Sequence, residues 1–111
     1  MKNCIVYFVK IPEIINIKTK LTAFMDNKKA YLLHKSFLID AINMIDKIPV
    51  KLFIYFTQED KLYKLKTLLK KKYTYMLQKG NNLGERIINA TTDLIDDNFE
   101  KIIIILNTSL R

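Results

Sequence analysis

Glycine, proline, cysteine and arginine are scarce in this chain, with two, two, one and two residues respectively among 111. No low-complexity linker divides it, and a chain of this length is expected to form one domain with its own hydrophobic core. The single cysteine, Cys4, excludes an internal disulfide and fits a reducing, cytoplasmic setting. Long apolar runs are also lacking. Neither CIVYFV near the start nor IIIIL near the end approaches the roughly 18 to 20 apolar residues that span a bilayer. The first run is closed by Lys10 and Pro12 with no small-residue cleavage site after it, so a signal peptide is not expected.

Lysine, by contrast, is abundant. The net charge is +8, and seventeen of the nineteen basic residues are lysine. Clustered lysines would suggest nucleic acid, because they neutralise phosphates and release counterions. Here they are scattered through an isoleucine- and asparagine-rich chain, so a solvated basic surface is the preferred reading and nucleic-acid binding ranks last. With 50% hydrophobic and 27% charged residues the composition is globular.

Four short apolar runs alternate with three stretches of helical periodicity, the pattern of a parallel sheet covered by helices. The runs are CIVYFV, VKLFIYF at 50–56 after Pro49, the weaker YTYML at 73–77, and KIIIIL. CIVYFV is continuous rather than alternating, as in a strand buried on both faces. The spacing of Ala30, Leu33, Phe37, Leu38, Ala41, Ile42 and Ile45 predicts a helix of about four to five turns opened by Asp26 or Asn27. Thr57, three residues before Asp60, suggests a cap for a second helix with Leu62, Leu65, Leu68 and Leu69 on its buried stripe. Lys70, Lys71 and Lys72 suit the negative end of that helix. A third helix is expected from Asn81 or Asn82 to Asp96, with Leu83, Ile87, Ala90, Thr91, Leu94 and Ile95 on one face. The order is β-α-β-α-β-α-β.

Ligands bind such sheets beyond the carboxyl ends of the strands, where helix N-termini and loop amides converge. The connection after the first strand, about 15 residues, is longer than the two to six such links usually need. Within it Lys10, Lys18, Thr19 and Lys20 either surround a phosphate or form an ordinary basic loop, and the length favours the former. The segment QKGNNLGERI, 78–87, holds both glycines of the chain, Gly80 and Gly84. Their concentration in one strand-to-helix turn predicts positive φ or close backbone approach there. Glu85 can close a capping box with Asn82, while Arg86 suits a planar, bidentate contact. His34 lacks neighbouring ligands and is expected to be a partly buried helix residue; Cys4 belongs to the core.

In order along the chain, Lys10-x-Pro12, then Lys18-Thr19-Lys20-Leu21, then Gln78-x-Gly80-x-x-Leu83-Gly84-Glu85-Arg86 resemble bacterial glycosyltransferases of the GT-A fold. That family is in turn similar to guanylyltransferases of cofactor biosynthesis. The resemblance covers essentially the whole chain. It implies a three-layer α/β/α Rossmann-like parallel sheet of strand order 3-2-1-4, as in the N-terminal half of a GT-A fold. It also implies a nucleotide-diphospho-sugar or nucleoside-triphosphate ligand, with Lys10, Lys18, Thr19 and Lys20 on the phosphates and Gly84, Glu85 and Arg86 supporting the nucleotide.

The departures from the family pattern matter. Ile15 replaces a loop glycine, Lys20 an arginine and Asn82 an acidic residue. The aspartate that holds magnesium or manganese in the family falls on Ser109, and no carboxylate follows Glu100. The resemblance therefore implies a nucleotide-binding domain over residues 1–111, truncated after the fourth strand or catalytically degenerate, with no metal ligand assigned. A nucleotidyltransferase-like protein is a further alternative. A second class of function is an interaction module, homo-oligomeric in one form, pairing through the fourth strand, which lies at the edge of a 3-2-1-4 sheet.

Overall fold

The computed structural model describes residues 2–12 and 26–106. The elements are β1 (Asn3–Phe8), α1 (Asn27–Ile45), β2 (Lys51–Phe56), a 3-10 turn (Glu59–Lys61) leading into α2 (Leu62–Leu69), β3 (Thr74–Leu77), α3 (Leu83–Asp96) and β4 (Lys101–Leu106). All strand pairs are parallel, and the order is β3-β2-β1-β4, as expected.

Successive residues of β1 and β2 feed two separate cores, which is why their apolar runs do not alternate. Ile5, Tyr7 and Val9 pack with Ile54 and Phe56 against Leu38 and Ile42 of α1 and Leu65 of α2. On the opposite face Cys4, Val6 and Phe8 pack with Phe53 and Tyr55 against Ala90 and Leu94 of α3. Cys4 is thus a core residue, and burial pushes its thiol pKa up.

Helix α1 opens as the sequence predicts: the Asp26 side chain accepts a hydrogen bond from the Lys29 amide at 2.8 Å. Its buried stripe runs through Ala30, His34, Leu38, Ile42 and Ile45. Phe37, expected on that stripe, is 43% exposed, because the stripe is centred on Leu38 and leaves Phe37 on a flank. The expected Thr57 cap of the second helix is not formed. Gln58 stands at the N-cap of the 3-10 turn, with no side-chain capping bond. Lys70 ends α2 in the left-handed region (φ 56°), and Lys71 Nζ reaches Asp46 Oδ2 at 2.5 Å, tying the ends of α2 and α1 together. Helix α3 is capped by Asn82 as predicted, but Ile95, placed on its inner face from the sequence, is 57% exposed.

Candidate functional site

The carboxyl ends of β1, β2 and β3 are held together by one side chain. The Gln78 amide donates to Phe56 O at 2.7 Å, continuing the β2–β3 ladder past its end. Gln78 Nε2 then donates to Tyr55 O at 2.9 Å and to Val9 O at 3.4 Å. Val9 N donates to the same Tyr55 O at 2.9 Å. Gln78 is buried, so these bonds satisfy an amide withdrawn from water and fix the strand ends on which the loops stand.

The turn from β3 into α3 is fastened residue by residue. Asn82 Oδ1 accepts from Glu85 N at 2.9 Å, and Glu85 returns the contact, its Oε1 accepting from Asn81 N at 3.2 Å. This is the predicted capping box with its return bond shifted by one residue, to the amide before the cap. Arg86 Nε donates to Gly80 O at 3.1 Å, and Asn89 Nδ2 to Lys79 O at 2.7 Å. Gly80 has φ +142°, and a Cβ there would lie 2.8 Å from Glu85 Cβ and 2.9 Å from Arg86 N. Positive φ and close approach are both present at Gly80. Gly84, already within α3, needs neither.

A cleft of about 540 Å³ opens at this end of the sheet, lined by Val9, Lys10, Thr57, Gln58, Gln78, Leu83 and Arg86. Lys10 brings positive charge to it from the segment after β1, and Leu83 and Arg86 stand on the first turn of α3. Thr57 and Gln58 supply neutral donors and acceptors from the loop after β2, which the sequence reading had left out of the site. Such a setting suits an anion that accepts hydrogen bonds. Among the described residues no carboxylate lines the cleft, and Glu85 spends its carboxylate on Asn81 and Asn82. Two cations without an oxyanion ligand do not fit a divalent metal. Lys18, Thr19, Lys20, Ile15 and Ser109 lie outside the described residues.

His34 is a neighbour of this region that sequence reasoning underrated. It is buried rather than partly buried, and its Nδ1 has no hydrogen-bond partner. Burial, and then the nearby Lys10 charge, push its pKa below the usual value, so it is held neutral. Two other hollows carry charge differently. One, between α1 and α2, is walled by Tyr31, Tyr63 and Leu68 and holds a single charged residue among the described ones, Lys64; the other lies at the amino ends of the strands, around Asn3 and Pro49, and sets Lys2 and Lys51 beside the Asp97 carboxylate.

In parallel α/β sheets of this kind the carboxyl ends of the strands are where ligands commonly bind, and this chain has a polar cleft there. The comparisons narrow this. No protein-family model matches the sequence, and no curated protein matches it. A solved structure that it is similar to is a protein of Desulfovibrio desulfuricans G20 provisionally described as a nucleotide-diphospho-sugar transferase. The two superpose with a TM-score of 0.87 at 29% identity, over 96% of this chain and 47% of that one. The chain thus has the nucleotide-diphospho-sugar transferase fold, in line with the resemblance drawn from its motifs, and spans about half the length of that protein. Among the described residues no helix is long and apolar enough to cross a membrane.

Proposed function

We propose that the cleft binds the diphosphate of a nucleotide or nucleotide-sugar. The observation that carries this reading is the pairing of Lys10 and Arg86 across one cleft, with the Arg86-bearing turn fixed by Glu85, Asn82 and Asn89. Likeness to the described transferase supports it. Lys10 supplies a compact charge, and Arg86, which uses Nε on Gly80, retains two Nη groups that can bond a phosphate in a planar fork. Gly84 and Glu85, on the first turn of α3, belong to this reading as neighbours of the ligand, together with Lys18, Thr19 and Lys20, which lie outside the described residues.

Binding is the proposed activity. A reducing, cytoplasmic setting accords with the buried thiol of Cys4.

The test is thermal. Uridine or guanosine diphosphate at saturation is expected to raise the melting temperature, with or without manganese, and Lys18→Ala or Arg86→Ala to reduce that protection. An unchanged melting temperature with every nucleotide, in both metal conditions, would rule the reading out. A second reading, pairing through β4, has its own support in the half-exposed Ile103.

A further inference from the structure

Lysine occurs throughout the chain, but its balance with carboxylates is uneven. Residues 61–79, from the start of α2 to just past β3, hold seven lysines and no aspartate or glutamate. Seven of the eight units of net charge therefore belong to this stretch, and the rest of the chain carries +1. Residues 80–100 lean the other way, with five carboxylates against the single Arg86.

The fold turns this asymmetry in sequence into one in space. Helix α2 packs on one face of the sheet and α3 on the other, while β3 is the outermost strand beyond β2. Lys66, Lys70, Lys71, Lys72 and Lys79 are all exposed. Tyr63, Lys66 and Lys70 follow one another at i, i+3 and i+7, so they line one side of α2 and its cap. Lys66 Nζ lies 5.8 Å from the centre of the Tyr75 ring, which turns that side toward β3. Lys70, Lys71 and Lys72 precede β3 and Lys79 follows it, so lysine stands at both ends of a strand about 13 Å long. Structural duties account for part of this, since Asp46 takes Lys71 and the lysines after α2 suit its negative end. They do not account for Lys79 at the far end of β3, for the lack of any carboxylate in the stretch, or for Tyr63, which is 64% exposed among these lysines.

We propose that the side of the molecule formed by α2 and β3 rests on the surface of a membrane that carries anionic lipid, its lysines against the headgroups and the Tyr63 ring at headgroup level. Charge complementarity carries this, because a polybasic stretch of this size is drawn to the negative potential of such a surface and each lysine adds to the attraction. An exposed tyrosine beside the lysines suits the same boundary, where one end of the ring is apolar and the other wet. Charge also sets the orientation. Asp93, Asp96, Asp97 and Glu100 belong to the end of α3 and the approach to β4, and their repulsion from the same surface leaves the lysine-bearing side to lead. Nucleic acid fits less well. All seven cations are lysine, which offers no planar fork to a phosphate or a base edge. Tyr73 and Tyr75 are half-buried and packed edge to face, so Tyr63 alone is no platform for successive bases. The inference is independent of the nucleotide reading, because none of these residues lines the cleft.

Vesicle flotation of the full chain tests it. At low ionic strength the chain should float with phosphatidylcholine vesicles that contain phosphatidylserine and not with phosphatidylcholine alone, and high salt should release it. Lys66→Gln, Lys72→Gln and Lys79→Gln, all at exposed positions, should each lower partitioning about fivefold, the fold-change of roughly 1 kcal/mol per lysine. Lys101→Gln, at the start of β4, should leave it nearly unchanged. No flotation with the phosphatidylserine vesicles at low salt, equal flotation with neutral vesicles, or binding indifferent to the three substitutions would each overturn the proposal. So would an oligonucleotide or an acidic peptide that the chain binds more tightly than these vesicles at the same salt.

Discussion

Arg86 Nε and the carbonyl oxygen of Gly80 stand 3.1 Å apart, closing a loop of six residues across the start of α3. The bond depends on the φ of +142° at Gly80, which brings the backbone under the first turn of the helix. An alanine there combines an unfavourable backbone conformation with a Cβ 2.8 Å from Glu85 Cβ. Gly80→Ala should therefore cost on the order of 1 to 3 kcal/mol and displace Arg86 from the cleft. Gly84→Ala meets only Asn82 Oδ1 at 3.3 Å. Urea titration of both variants should show a clear loss for Gly80→Ala and a much smaller change for Gly84→Ala; equal losses would contradict the role given to Gly80.

Gln78 should behave as a structural tie. Replacing it with leucine keeps the volume but removes the donor to Tyr55 O and Val9 O, whose carbonyls sit where water is excluded. The expected loss is roughly 1 to 2 kcal/mol, together with faster hydrogen exchange at the Val9 amide. If Val9 exchange is unchanged, the strand ends are held by their ladders alone.

Most of the fold was legible in the sequence, and the reasons are local. CIVYFV reads as a strand buried on both faces, and VKLFIYF as a second strand, because both sit between two helix layers. Asp26 and Asn82 read as caps because an oxygen two or three residues before a helical amide has few other uses. The strand order came from the family resemblance carried by the glycine-containing turn. Phe37 and Ile95 were misplaced for one reason: periodicity gives the spacing of a stripe but not its centre, which tertiary packing sets. Thr57 was read as a cap from its distance to Asp60, but the chain enters α2 through a 3-10 turn and leaves Thr57 on the cleft. Gln78 is conspicuous as an amide closing an apolar strand, yet its partners are 23 and 69 residues away, beyond any local pattern.

Tyr55 supplies an alkaline signature. Its hydroxyl is buried without a partner, and burial, with smaller contributions from Asp93 and Cys4, pushes its pKa up to about 12. The unfolded chain releases this proton near pH 10 and the folded chain does not, so stability contributed by the neutral phenol is complete below pH 10 and lost as pH rises toward 12. Tyr55→Phe removes the unpaired hydroxyl. It should leave the melting temperature at pH 7 equal or higher and make its decline above pH 10 shallower than in the wild type. Parallel alkaline curves would contradict this.

His34 gives the complementary acid signature. Its folded pKa is lowered by burial and by Lys10, so the unfolded state binds the proton more readily. The stability associated with neutral His34 is present above about pH 6.5 and is lost as pH falls below it. His34→Leu should flatten the fall in melting temperature between pH 7 and pH 5, before most carboxylates titrate. A variant that tracks the wild type through that range would show that His34 is not held neutral.

The central claim is that the cleft at the carboxyl ends of β1, β2 and β3 receives a nucleotide diphosphate. Amide chemical-shift mapping on the labelled chain during titration with uridine or guanosine diphosphate tests it most directly. The account predicts saturable shifts concentrated at Val9, Lys10, Thr57, Gln58 and residues 78–86, weakened by Arg86→Ala. No saturable shift with either nucleotide, or shifts centred instead on Asn3, Lys51 and Thr74 at the opposite end of the sheet, would contradict it.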